Sequence, residues 1–235
     1  MQKLSALTHE NLSATVYATL CDALISGRFR PGERLKIRDI AGQLGTSVTP
    51  VRDAVLRLTH DDALVFLTAR DIRIPHMSAE RYLEIRNIRL RLEAFAAEQA
   101  AKRASDSDIA ELEDLLRDNE AAMKAGNGLK GAALNQAFHF MLPKIAEMPT
   151  LHGILRRLWL QMGPLISEVY LEGGRSMIDH HYPLVEALRR RDPAAAVEAI
   201  TTDIILGGEM LLKRVGLPAD LLSEAMQNGL QPLKK

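Results

Sequence analysis

The chain has 235 residues, enough for one large domain or two ordinary ones, and is 47% hydrophobic but only 4% aromatic, so its core is aliphatic. Thirty basic residues meet 30 acidic ones for a formal net charge of +0, which excludes a uniformly basic nucleic-acid coat and leaves only a local patch for such a role. The single cysteine, Cys21, forbids an intrachain disulfide, and no run reaches membrane-spanning length or opens the chain as a secretory leader; a cytoplasmic protein with no membrane partner is expected.

Residues 1–10 carry no strong pattern. Residues 12–26 predict a helix with Val16, Leu20, Ala23 and Leu24 on one face and Gly27 ending it. A turn at Pro31-Gly32 follows, in a stretch where Arg28, Arg30, Arg34, Lys36 and Arg38 face only Glu33. Residues 36–58, KIRDIAGQLGTSVTPVRDAVLRL, predict two short helices around a tight turn. Ile37, Ile40, Ala41 and Leu44 give the first an apolar face, and Gly45 stands where a helix C-terminus commonly needs φ > 0. Thr46 or Ser47 caps the second, Pro50 falls in its first turn, and Val51, Ala54, Val55 and Leu58 are its buried side. Thr49, Arg52 and Asp53 are left on another side. A helix pair of this kind is a helix-turn-helix, whose second helix enters the DNA major groove by its N-terminal end. Residues 63–67 and 72–74 predict two strands with 68–71 as the tip, the wing of a winged helix. Arg38, Thr49 and Arg52 are the expected base-reading contacts, with Arg34 and Arg70 as phosphate partners.

From Ala79 the pattern is helical throughout. Six helices are predicted at about 79–103, 106–125, 130–146, 149–171, 176–191 and 193–214, an antiparallel bundle, with a short amphipathic helix around 221–226. The apolar stripes of four of them contain polar residues. Arg89 lies among Ile85, Leu92 and Ala96. Asn135 and His139 lie on the stripe of Phe138, Leu142 and Ile145. His181 lies among Ile178, Leu184, Val185 and Leu188, and Asp203 among Ala199, Ile200, Leu206 and Met210. An unpartnered buried polar group costs roughly 1–3 kcal/mol, so the five such groups on four helices are cheapest if they meet one another, a metal or a ligand. Each also has a local alternative: a backbone carbonyl for a histidine, Glu93 for Arg89, a cap or nearby pair for Asp203, and His180 as the inward residue in place of His181.

Two resemblances sharpen these expectations. Residues 10–77, through PGERL, IAGQLG and SVTPVRDAVLRL, resemble the N-terminal domain of the GntR family of bacterial transcription regulators. Two positions depart from that pattern: Val48 stands where the family usually has Arg or another polar DNA-contacting residue, and Ala69-Arg70-Asp71 replaces the usual glycine of the wing tip. Residues 79–215, through RLRLEAFAA, NQAFH, HHYPLVEALRRRDPAAAVEAI and DIILGG, resemble the FCD ligand-sensing domain of the FadR-like branch. Many such domains hold a divalent metal with one Asp and three His. Position by position, Asn135 takes the place of the Asp, His139 and His181 match two histidines, and Asp203 takes the place of the last. The resemblance thus implies a Zn, Ni or Mn site altered at two of four ligands, and an arginine at Arg89 that pairs with an effector carboxylate.

The expected architecture is mainly α: a winged helix-turn-helix with a small β-wing at 1–77, and an all-α effector-binding and dimerisation bundle at 78–235. The expected function is a homodimeric transcription regulator, a repressor, that reads a palindromic operator in double-stranded DNA and responds to a small organic acid. Two readings compete. One is a metal-dependent enzyme with an accessory DNA-binding module, for which the chain shows no Glu-x-x-His, Gly-rich nucleotide loop or nucleophile triad signature. The other keeps the DNA binder but makes the polar cluster purely structural.

Overall fold

The computed structural model describes residues 12–68 and 70–218 together with Leu221, Leu222 and Met226. The N-terminal unit comprises α1 (Leu12–Ile25), β1 (Arg34–Leu35), α2 (Ile37–Gln43), α3 (Val48–His60), β2 (Val65–Thr68) and β3 (Asp71–Arg73). The helical unit comprises α4 (Ala79–Arg103), α5 (Asp106–Lys124), α6 (Gly128–Ile145), α7 (Pro149–Gly173), a 3-10 turn (Gly174–Met177), α8 (His181–Arg189), α9 (Pro193–Leu206) and α10 (Glu209–Arg214).

In the N-terminal unit α1 lies across α3, and Val51, Ala54, Val55 and Leu58 of α3 are all at most 1% exposed. Gly45 has φ +62°, the left-handed turn expected between α2 and α3. The sheet order is β1-β3-β2, antiparallel, with Arg34 opposite Arg73 and Val65 opposite Arg73 on the other edge. Residues 63–64, expected in the first wing strand, are core residues ahead of β2, and Thr68 pairs with Asp71. The tip is therefore narrower than 68–71; Ala69 lies outside the described residues.

The bundle is built on α4, which packs against α9, α6, α7 and α8. Helix starts follow the capping chemistry. The Ser78 side chain accepts from the Arg81 N–H, Ser105 and Asp108 form a reciprocal capping box, and Asp192 accepts from Ala195 ahead of Pro193.

Three expectations are corrected. Ser47 occupies the N-cap of α3, but neither it nor Thr46 caps the helix through its side chain. The fifth bundle helix starts at His181, not at 176: Gly174 turns the chain at φ +55°, and Pro183 is tolerated only within a first turn. The helix expected over 193–214 is two helices, broken at Gly207-Gly208. A Cβ on Gly208 would stand 2.5 Å from the buried Tyr82 Oη, so the tip of that α4 side chain leaves little room for a larger residue. Of the helix expected around 221–226, Leu221, Leu222 and Met226 are helical and the rest lies outside the described residues, as do residues 1–10. No helix among the described residues is long and apolar enough to cross a membrane.

Candidate functional site

Two groups of residues are positioned for chemistry. The first is the outer side of α2, α3 and the wing. Arg38, Thr49, Arg52 and Arg70 are all exposed, and Arg38, Arg52 and Arg70 form no ion pair with a described residue. Arg34 is different: its Nε lies 3.2 Å from Asp71 Oδ1, and its Nη2 donates to the Arg70 carbonyl at 3.3 Å. It braces the wing while remaining half exposed. Asp53 accepts from Ser13 Oγ and is thereby drawn toward α1. The side of α3 that carries Arg52 thus presents uncommitted positive charge, as a phosphate- and base-reading surface requires.

The second group is in the bundle. Arg89, Asn135, His139, His181 and Asp203 are all buried, between 0% and 6% exposed. His181 is the inward residue of its pair and His180 is only partly covered. Arg89 Nε lies 2.6 Å from Glu93 Oε1, the local partner that an i,i+4 spacing allows. Glu93 Oε2 lies 2.7 Å from His139 Nδ1, and His139 Nε2 lies 3.3 Å from Asp203 Oδ2. Asp203 Oδ1 is 3.3 Å from His181 Nε2, off the hydrogen-bonding line, so neither ring nitrogen of His181 has a hydrogen-bond partner among the described residues. The Phe138 ring stacks on His181 at 4.0 Å.

The result is one continuous ionic chain, Arg89–Glu93–His139–Asp203, ending at His181. Glu93 is the member that sequence reasoning assigns only as a local partner. Its spacing from Arg89 is a readable signal, but its contact with His139, 46 residues away, is not.

Charge sets the protonation of this chain. Burial pushes the Glu93 carboxyl up, but the adjacent Arg89 and His139 more than offset it and hold it down at about 2. Burial pushes His139 down, but the flanking Glu93 and Asp203 carboxylates raise it to about 9. Asp203 is held well below the usual carboxylate range, with His181 and His139 outweighing its burial.

The donor set fits a divalent cation. Ligand atoms of His139, His181 and Asp203 all lie within 4.8 Å of one another. The two N···O separations of 3.3 Å fall within the about 3.0–3.4 Å between neighbouring donors around an ion with bonds of about 2.1 Å. His181 is a second indication: its buried Nε2 makes no hydrogen bond among the described residues and has only the 3.3 Å approach of Asp203, which leaves that nitrogen free to ligate. The Asn135 amide lines the same cavity as Arg89, His139 and Asp203, together with Tyr82 and Trp159; its volume is about 30 Å³. That admits an ion or one or two waters, not an organic acid with a carbon skeleton.

Helix α7 runs from the bundle cavity to α1, the helix that backs α3. On one side α7 carries Trp159, whose ring lies 4.6 Å below the Arg89 guanidinium, Met162, whose sulfur accepts from Arg89 Nη1 at 3.8 Å, and cavity-lining Ile166. On another side it meets α1 without any spacer: a Cβ on Gly163 would lie 2.4 Å from the Leu24 carbonyl oxygen and 2.6 Å from that of Ile25. Arg156 to Asp22 and Arg157 to Asp61, both 2.9 Å, flank the joint, and Arg81 of α4 reaches Asp62 at 3.1 Å.

Comparison with known proteins matches residues 12–74 to the family of bacterial regulatory proteins of the gntR type and residues 84–205 to the FCD domain. The chain is 32% identical over 190 residues to the HTH-type transcriptional regulator McbR of Escherichia coli strain K12, covering 79% of this chain and 86% of that protein. It is 34% identical to the Nta operon transcriptional regulator of Aminobacter aminovorans over 52% of this chain and 58% of that protein. It is 26% identical to the HTH-type transcriptional repressor GlaR of Escherichia coli strain K12, over 80% of this chain and 90% of that protein. The solved structure of E. coli McbR/YncC superposes with a TM-score of 0.80 at 29% identity, covering 86% of this chain and 98% of that one. These relatives are transcriptional regulators, which removes the reading of the bundle as an enzyme.

Proposed function

The chain belongs to the gntR family of bacterial regulatory proteins and carries an FCD domain, and from that premise we propose that it is a homodimeric repressor whose operator affinity is set by a small carboxylate metabolite bound beside a divalent metal. In this reading residues 1–77 are the DNA-binding domain and 78–235 the sensing and dimerising one. Arg38, Thr49 and Arg52 read bases, and Arg70 and the half-exposed Arg34 meet phosphates.

The observation that carries the sensing role is the buried ionic chain and its charge balance. With His139 protonated, Arg89 and His139 offset Glu93 and Asp203. His139, His181, Asp203 and Asn135 would hold a divalent cation, which would supply a Lewis-acidic centre; with the cation in place of the His139 proton, the cluster would carry one excess positive charge for a carboxylate to neutralise. Glu93 would then accept a hydrogen bond from His139 Nδ1–H and fix which nitrogen faces the cavity, the usual role of a carboxylate behind a ligating histidine. Among the described residues the η nitrogens of Arg89 meet only the Met162 sulfur, a weak acceptor, so Arg89 retains the means to hold a carboxylate.

An acid larger than the 30 Å³ cavity must displace its walls. The walls that give are those at the Gly207-Gly208 break and along α7, and α7 passes the displacement to α1 through Gly163. The effector acts by preferring the displaced arrangement, which alters how α3 is presented.

The test is selection of bound DNA from a random pool, then titration of the recovered complex with small organic acids, with and without prior chelation. A palindrome released by an acid only in metal-loaded protein supports the reading. A protein that contains no metal after expression in metal-replete medium, and whose operator complex ignores every acid, leaves the cluster a purely structural device.

A further inference from the structure

We infer that Val48 is a specificity-determining residue of the DNA interface: its isopropyl group takes the C5-methyl of a thymine and so fixes one T·A pair in each half-site. The inference rests on the reading of α3 as the helix that enters the major groove. Val48 is the first residue of α3 and is 41% exposed. Its position has no packing explanation, because the core side of α3 is complete without it: Val51, Val55 and Leu58 are fully covered and Ala54 nearly so. Nor does helix formation call for it, since a β-branched residue is an indifferent helix former.

An isolated exposed valine is ordinary on most surfaces. Here its neighbours Ser47, Thr49 and Arg52 are exposed hydrogen-bonding residues on the end of the helix that meets base edges. In the groove the valine exchanges water for those edges. Guanine shows two acceptors there, adenine an acceptor and a donor, and cytosine a donor; only thymine shows a methyl group. Against any of the other three, Val48 strips water from a polar group and returns no hydrogen bond. Against thymine it buries methyl on methyl. The same side chain therefore attracts one base and rejects three.

Arg52 lies one helical turn further along the same side and suits a guanine, held bidentately through O6 and N7. Four helical residues span roughly 6 Å and a base step about 3.4 Å. The thymine should accordingly lie within about two base pairs of that guanine.

Deoxyuridine differs from thymidine only in the missing methyl, so the test replaces each thymine of the selected operator by deoxyuridine in turn. Wild-type protein is expected to lose about three- to fivefold in affinity per half-site at one thymine, the worth of one buried methyl. Val48→Ala is expected to bind the thymine and deoxyuridine operators alike, and Arg52→Ala to bind both more weakly while keeping the difference between them. Val48 is exposed, so its truncation leaves the fold intact, and the melting temperature checks this. If no deoxyuridine substitution separates wild type from Val48→Ala, the assignment is wrong while operator binding stands. A chain that selects no sequence from the pool overturns the groove-reading premise and the role of Val48 with it.

Discussion

Glu93 and Asp203 decide what His139 can do. Between two carboxylates the imidazole keeps a proton on each nitrogen, and its pKa is raised to about 9. A pKa raised on folding contributes stability that is fully present below the unfolded value, about 6.5, and is lost as pH rises through the folded one. Metal-free protein should therefore become less stable in denaturant between about pH 6.5 and 9. Cation binding at His139 Nε2 must expel that proton. Calorimetry at pH 7 in buffers of different ionisation enthalpy should report about one proton released per ion bound, with affinity rising with pH. Binding without proton release would show that His139 is not a ligand. Glu93→Gln should reduce the proton released, because the neutral amide no longer holds the imidazole charged. Arg89→Ala is a poor probe of effector binding, because removing one member of a buried pair costs about 3–5 kcal/mol by itself; Arg89→Lys keeps a charge opposite Glu93 but loses the bidentate fork, and should weaken the acid response while sparing the metal. On the DNA side Arg52 has no ion-pair partner among the described residues, so Arg52→Ala should leave the melting temperature unchanged. It should cost about 1–3 kcal/mol of operator affinity per half-site, measured by fluorescence anisotropy, and unaltered affinity would remove Arg52 from the interface.

Among the elements, α7 lines the bundle cavity and also packs on α1, the helix behind α3, and glycine makes this possible. Gly163→Ala places a methyl against two backbone oxygens of α1, which cannot move aside as a side chain can. The expected outcome is a stability loss of about 1–3 kcal/mol, with operator binding retained and its response to acid blunted. Gly153 is the internal control: it lies in the same helix, and an added Cβ there would meet nothing within 4 Å among the described residues, so Gly153→Ala should be neutral or stabilising by up to about 1 kcal/mol. A Gly163→Ala protein that responds to acid as wild type does would take α7 out of the relay. The same local-versus-distant distinction explains how much could be read from the chain. The helix-turn-helix, the Gly45 turn and the starts of α4, α5 and α9 are written in periodicity and caps within a few residues. Strand β1 is not, because two residues carry no period and Arg34-Leu35 become a strand only by pairing with β3. The contact of Gly208 at the α9–α10 break with Tyr82, 126 residues earlier, is likewise not written locally. The inward polar residues Arg89, Asn135, His139, His181 and Asp203 were legible because each interrupts an apolar stripe. Their order in space was not, since it depends on how α4, α6, α8 and α9 pack.

At the scale of the whole molecule, a chain with no net charge gains operator affinity from a local patch rather than from bulk attraction. The proposed dimer uses that patch twice about a two-fold axis, and α4 offers a surface for it. Its inner side holds Arg89 and Glu93, while its outer side carries Ile88 at 38% exposed, Leu92 partly covered and Phe95 at 45% exposed. These three are spaced i, i+4 and i+7, so they form one stripe along the helix. Two copies meeting along it in antiparallel fashion set Ile88 against the partner's Phe95 and the reverse, the self-complementary contact that a two-fold axis demands. Such a seam would also stand one helix away from both ionic chains, so a shift of α4 on acid binding changes the angle between the two DNA-binding units. The intact protein should therefore be a dimer by size-exclusion chromatography with light scattering. Phe95→Glu sets a carboxylate against the apolar Ile88 position of the second copy at both ends of the seam without touching the core, and should yield a folded monomer with an unchanged helical spectrum. Its operator affinity should fall by far more than the loss of any single base contact, because one half-site then binds alone. A monomeric wild-type protein, or a Phe95→Glu variant as dimeric as the wild type, would move the two-fold axis off α4.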